Sequence, residues 1–225
     1  MFKTVKSSLM ENYKKNFDLL KKNNVYSEEM EHDACGVGLI SSTEGKKSRK
    51  VVEYGIEALK AVWHRGAVDA DGKTGDGAGI HVEIPKDFFI EKIEVTGHTY
   101  DSSEICVGMI FLPRNDYAAQ ESCKTIVESE LTKNNFSIYG WRQVPVNPKV
   151  LGEKAFHTMP EIIQVLFKSN SSELLNKELE RKIYETRRKI ENKAFQISLN
   201  NFYICSLSSK SIIYKGMFLA EAISD

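Results

Sequence analysis

Ile105 to Leu112 is an almost unbroken apolar run closed by Pro113, and a strand of that composition has to be buried. Ile162 to Phe167 is a second such run, and Phe136 to Val146 reads as a strand around Tyr139, Trp141 and Val144. Helix-like stretches stand between them: Asn115 to Lys133, and a long charged one in which Leu175, Leu179, Ile183 and Ile190 keep helical spacing. Ile80, Val82 and Ile84 alternate with polar residues as a half-buried strand that stops at Pro85. Phe202 to Leu207 and Ser211 to Tyr214 read as a hairpin across Ser208-Ser209-Lys210. Strands and helices so interleaved favour antiparallel or mixed sheets with helices on their faces. The last residues, Phe218 to Asp225, read as the start of a helix with no stop signal, as in a truncated product.

At 225 residues the chain can bury one sizeable core. Lys plus Arg and Asp plus Glu cancel at 31 each, which leaves no electrostatic footprint for nucleic acid or an anionic membrane. No apolar run approaches the roughly 20 residues of a membrane span. Charges recur through Glu11, Lys14, Lys15 and Asp18, where a secretory signal would need its apolar stretch. Cys35, Cys106, Cys123 and Cys205 form no CxxC pair, and the last three fall in strand-like or helix-like runs typical of buried thiols. A cytoplasmic location is expected.

Leu9, Tyr13, Phe17 and Leu20 recur at helical spacing within residues 8 to 22, and a polar stretch follows to Asp33. By composition, residues 1 to 34 are an appendage. Cys35 comes next, at the mouth of a strand-like run from Val37 to Ile40, with Gly36 and Gly38 leaving room for a close neighbour. A lone cysteine is usually packing. It becomes a nucleophile when a base stands beside it, and the α-amino group of an N-terminal cysteine, with a pKa of about 7.7–8.0, is such a base. That requires cleavage after Ala34. His32-x-x-Cys35 has the residue types of a metal site, but a zinc site needs about four ligands and no second cluster supplies them. Val52, Ile56, Leu59 and Val62 mark an amphipathic helix ending near His64-Arg65-Gly66. Arg65 there is either a solvated C-terminal cation or an inward-facing ligand. The Gly75-x-Gly77-x-Gly79 loop precedes a strand and lacks the P-loop Gly-Lys-Ser/Thr, so it reads as a tight turn or a close pass, with phosphate binding the minority alternative.

Three blocks taken together carry a resemblance: Ala34-Cys35-Gly36-Val37-Gly38, then Leu59 to Ala67 with its His64-Arg65-Gly66, then Ala70 to Ile80 with its glycines. They resemble the class II glutamine amidotransferase domain that opens the large subunit of glutamate synthases, an N-terminal-nucleophile hydrolase. The match extends toward Phe202 to Lys210 and Tyr214-Lys215-Gly216. The resemblance implies an α+β fold, the four-layer α/β/β/α sandwich of that hydrolase family, incomplete at the C-terminus. It divides the chain into a propeptide-like extension, 1–34, and a partial amidotransferase domain, 35–225.

It also implies that Cys35 attacks the side-chain amide of glutamine on the first inner strand, with its own freed α-amino group as base. Arg65 and Gly66 support that neighbourhood, and no cofactor or metal is held in this segment. FMN and an iron–sulfur cluster are implied for the full-length enzyme. So are the remaining domains of the same polypeptide and a small electron-transfer subunit or ferredoxin as partners. The family's oxyanion Asn-Gly and its glutamine-gripping Arg and Asp are expected beyond Asp225, so this polypeptide alone is expected to be inactive, with an exposed apolar edge. The alternatives are another class II amidotransferase and a non-enzymatic remnant serving as an interaction module.

Overall fold

A computed structural model describes residues 2–23, 27, 36–62, 66–171 and 177–224. The chain divides into two units, Met1–Cys35 and Gly36–Asp225. The first is built on helix α1, Phe2–Lys22. Tyr13 and Phe17, one turn apart, stack at 5.9 Å, and the Lys21 ammonium lies 4.8 Å over the Phe17 ring. Lys21 and Lys22 in the last turn complement the helix dipole.

The second unit is organised by β2, Cys106–Leu112, the run singled out above. It is flanked on both sides in a four-stranded antiparallel sheet ordered β3-β4-β2-β5. The partners are β3 (Phe136–Gln143), β4 (Glu161–Ser169) and β5 (Tyr203–Ser208). Alternation along β2 sends Cys106, Ile110 and Leu112 to one face and Val107 and Met109 to the other. The first face is covered by α4 (Tyr117–Lys133) and α6 (Lys177–Gln196). α6 buries Leu179, Ile183, Thr186, Ile190 and Ala194, a stripe at spacings of three and four. The second face meets a two-stranded antiparallel ribbon, β1 (Ala78–Glu83) with β6 (Ser211–Gly216), and α3 (Lys86–Val95). Ile212, Phe89 and Ile93 pack there with Val107, Met109, Leu166 and Cys205. Helix α2 (Arg49–Ala61) packs on the ribbon, where Gly55 faces Ile80. All four layers of the expected α/β/β/α sandwich are represented, with the ribbon as the second sheet.

Two strand expectations are corrected. The runs at 202–207 and 211–214 form strands but no hairpin, because β5 pairs with β2 and β6 pairs with β1. The turn between them carries the chain from one sheet to the other. Glu180 on α6 holds that turn, accepting hydrogen bonds from Ser208 Oγ (2.9 Å), Ser209 N (2.7 Å) and Ser209 Oγ (2.7 Å). Val37 to Ile40 is not in a strand: Val37 and Leu39 are 94% and 90% exposed, and no described strand pairs with them. A strand exists only through its ladder, so apolar composition without a partner leaves an extended segment. Helix α3, the short α5 (Glu153–Thr158) and a 3-10 turn at Ala220–Ser224 complete the fold.

Candidate active site

The approach to the site starts at α2. Ser48 caps it, its hydroxyl accepting from Lys50 N at 3.2 Å. The helix ends at Val62, whose N–H reaches the Leu59 carbonyl at 3.3 Å. Cys35 and Arg65 lie outside the described residues, as does His32. Gly66, an exposed bend, is the candidate site residue that can be placed.

From Gly66 the chain enters a small hairpin. Asp76 N donates to the Ala67 carbonyl at 3.2 Å, Val68 bridges Gly75, and Asp69 N donates to the Thr74 carbonyl at 2.8 Å. At the tip Gly72 takes φ +70°, and its N–H reaches the Asp69 carbonyl at 2.9 Å. The Asp71 carboxylate turns back over the tip, accepting from Lys73 N (3.0 Å), Thr74 N (2.7 Å) and Thr74 Oγ1 (2.6 Å). These donors, the Thr74 hydroxyl first, hold the Asp71 carboxyl well below the usual carboxylate range. The same carboxylate occupies the Lys73 and Thr74 N–H groups at the head of the glycine loop, and its negative charge works against an anion there.

The hairpin is tied to the start of α5, a contact that spacing in the sequence did not reveal. Thr74, 2% exposed, accepts from Ala155 N at 3.3 Å, and Lys154 pairs with Asp69 at 2.7 Å. The pair lowers the Asp69 pKa and raises that of Lys154, chiefly through their shared hydrogen bond. A side chain at Gly152 would stand 2.3 Å from both Asp71 Oδ2 and Thr74 Oγ1. The one local signal was the Asp71-x-x-Thr74 spacing, a side-chain turn motif. The loop glycines act by close passage, as read from the sequence: a Cβ at Gly75 would lie 2.6 Å from the Phe218 carbonyl oxygen, and one at Gly79 would lie 2.9 Å from that of Tyr214.

The three described cysteines are all buried and free. Burial pushes the Cys106 and Cys205 thiols up, and that of Cys123 to about 11. Each is therefore a protonated, shielded thiol at neutral pH, the opposite of a nucleophile. Among the described residues no group of three or more His, Cys, Asp or Glu is arranged to hold a metal, and no helix is long and apolar enough to cross a membrane. A groove of about 620 Å³ at the far end of β1 contains none of the candidate residues. Its Lys47 and Lys86 are paired with Glu83 (2.6 Å) and Glu104 (2.8 Å).

The family model for class-II glutamine amidotransferases matches residues 35–225. The NADPH-type glutamate synthase large chain of Azospirillum brasilense is 55% identical over 201 residues, 89% of this chain and 13% of that protein. The ferredoxin-dependent glutamate synthase of Pyropia yezoensis is 39% identical over 91% of this chain and 13% of its own length. Ferredoxin-dependent glutamate synthase 1 of Arabidopsis thaliana is 40% identical over 86% of this chain and 12% of its own length. The chain thus spans 12–13% of the length of these relatives. On a match that opens at Cys35 and runs to Asp225, this chain belongs to the class-II glutamine amidotransferases.

Proposed function

We propose that the chain is the glutaminase portion of a glutamate synthase and that Cys35 is its nucleophile. The observation that carries this reading is the family match beginning at Cys35, joined by similarity to both NADPH-type and ferredoxin-dependent synthases. Residues 1–34 are then a propeptide and residues 35–225 the domain, the latter being the span of the family match. Removal of the propeptide frees the Cys35 α-amino group, which titrates near neutrality at about 7.7–8.0. That amine takes the thiol proton while sulfur attacks the glutamine side-chain carbonyl, and it returns a proton as the C–N bond breaks. Ammonia leaves and a γ-glutamyl thioester remains. Water then adds, its proton passing through the same amine to the sulfur, and glutamate is released. The three buried thiols cannot substitute, because each lacks both exposure and a depressed pKa.

In this reading the ammonia goes to reductive amination of 2-oxoglutarate. Flavin and iron–sulfur chemistry would be supplied by other domains of a synthase polypeptide, with electrons from NADPH or ferredoxin, and the location is cytoplasmic. Preorganised oxyanion donors are worth about 10²–10³ in rate each. The sequence holds no Asn-Gly pair of the kind the family uses for them. Residues 1–225 by themselves are therefore expected to hydrolyse glutamine slowly. The test is chemical: joined to the rest of a synthase polypeptide, the chain should yield a mature species beginning at Cys35. A glutamine-like electrophile should label that residue alone. Labelling at Cys106, Cys123 or Cys205, with Cys35 untouched, rejects the assignment.

A further inference from the structure

The tip of the 67–76 hairpin and the 3-10 turn at Ala220–Ser224 border a cleft whose charges differ from those of the larger groove described above. In that groove both carboxylates are matched, Glu83 by Lys47 (2.6 Å) and Glu104 by Lys86 (2.8 Å). The cleft measures about 320 Å³, a size in the range of small-molecule sites. Lys73 reaches it from the hairpin tip, Lys149 from a 3-10 turn at Pro148–Val150, and Glu221 from the turn at Ala220–Ser224. Among the described residues, none of these three side chains has an ion-pair or hydrogen-bond partner. Val150, Leu219 and Ala222 supply the apolar lining. The backbones that carry the charges are fixed. Lys73 N donates to Asp71 Oδ1 at 3.0 Å, Lys149 N to Asn147 Oδ1 at 3.3 Å, and Ala222 N to the Leu219 carbonyl at 3.0 Å. Lys60 on α2 donates to Ser224 Oγ at 2.8 Å and holds the end of the last turn. The walls also stand against one another: a Cβ at Gly75 would meet the Phe218 carbonyl, and one at Gly152 would lie 2.5 Å from Thr74 N. Unpaired charges on anchored backbones need little ordering to receive a ligand.

We propose that this cleft binds a small amino dicarboxylate of the glutamate class. Two ammoniums and one carboxylate leave the cleft with one net positive charge. A ligand with two carboxylates and one ammonium carries the complementary set and one net negative charge. Lys73 and Lys149 each take a carboxylate, Glu221 takes the ammonium, and the ligand's methylenes lie on the apolar lining. Hydrogen bonds between such charged groups are stronger than neutral ones. The inference goes beyond the glutaminase reading and does not depend on it, because the ligand's chemistry is read from the cleft and no cleavage step enters.

Calorimetric titration of the chain at low ionic strength, where exposed charges are least screened, tests both sides of the match. L-Glutamate should bind saturably in the millimolar range. Glutarate lacks the ammonium and L-glutamine lacks the second carboxylate, so each should bind about 3–10-fold more weakly. Lys73, Lys149 and Glu221 are exposed, so their substitution should leave the fold intact. Glu221→Gln should erase the preference for glutamate over glutarate. Lys73→Gln and Lys149→Gln should each weaken glutamate, and the one that meets the side-chain carboxylate should erase the preference over glutamine. Lys47→Gln, in the larger groove, should change none of the three affinities. No saturable binding of glutamate, or equal affinity for the three ligands, overturns the inference, and that comparison needs no variant. Glutamate binding that survives all three cleft substitutions also overturns it, since the ligand then sits elsewhere on the chain.

Discussion

The four-stranded sheet and the β1–β6 ribbon are both antiparallel and share one core, yet they are built to different standards. β2 is buried at six of its seven positions, and α4 and α6 cover its outer face with a continuous apolar cluster. β1 alternates between half-buried and exposed residues, and α2, which packs on it, buries no residue fully. The difference separates tasks. Stability resides in the sheet with its helix pair, whereas the elements that carry the family motifs are thinly packed and held by hydrogen bonds and close backbone passes. Segments that must admit and release a substrate are drawn from the less stable part of a fold.

The largest effect should come from the well-packed side. Phe167 is fully buried and stacks edge-on against Phe136 at 5.4 Å. Phe167→Ala should lower the unfolding free energy by about 3–5 kcal/mol in urea titration. A loss below about 1 kcal/mol would break the contrast. Next is the joint between the two regions. Glu180→Ala removes three hydrogen bonds from the Ser208–Ser209 turn and should cost about 1.5–3 kcal/mol. Protection in hydrogen exchange should fall first in β6. Gly79→Ala forces a methyl against Lys215 and the Tyr214 carbonyl, an overpacking cost of about 1–3 kcal/mol. That loss should appear as proteolysis within the ribbon while the β2 amides stay protected; uniform loss of protection would show that the regions unfold as one.

The smallest effect is electrostatic. Asp101 accepts from Tyr139 OH at 3.0 Å and pairs with Lys168, and these contacts, Lys168 first, hold its carboxyl below the usual range. A carboxylate with a depressed pKa stabilises the fold above its unfolded value of about 3.9 and loses that contribution as pH falls toward the folded value. The site is close to half exposed, so Asp101→Asn should cost less than about 1 kcal/mol. The gap from wild type should be flat between about pH 5 and 8 and close below about pH 4. A gap that widens in acid would contradict the pairing.

The legibility of the sequence follows the same division. β2, β4, α4 and α6 were readable because burial on a dense core imposes strict periodicity. α3 was not, because Phe88-Phe89-Ile90 crowds apolar residues after Pro85, and only Phe89 and Ile93, one turn apart, are buried. The supposed hairpin at 202–214 failed for a topological reason. Two apolar runs around a short turn look alike whether they pair together or enter different sheets, and the deciding contact, Glu180, lies on another element. At the site, the close passes of Gly75 and Gly79 could be read locally. The tie from Asp71 and Thr74 to Gly152 could not, since it joins segments far apart in the sequence.

The burial of Cys106, Cys123 and Cys205 gives the protein a clean chemical background. A reagent specific for a 1,2-aminothiol, such as a cyanobenzothiazole, needs a sulfur and a free amine on adjacent carbons, which no internal cysteine offers. Ordinary alkylating agents meet three thiols that are both shielded and protonated. Condensation with such a reagent would therefore start from zero in the uncleaved chain, and under the proposed maturation it would rise toward one equivalent per chain as termini at Cys35 are released, a meter of that step in purified protein.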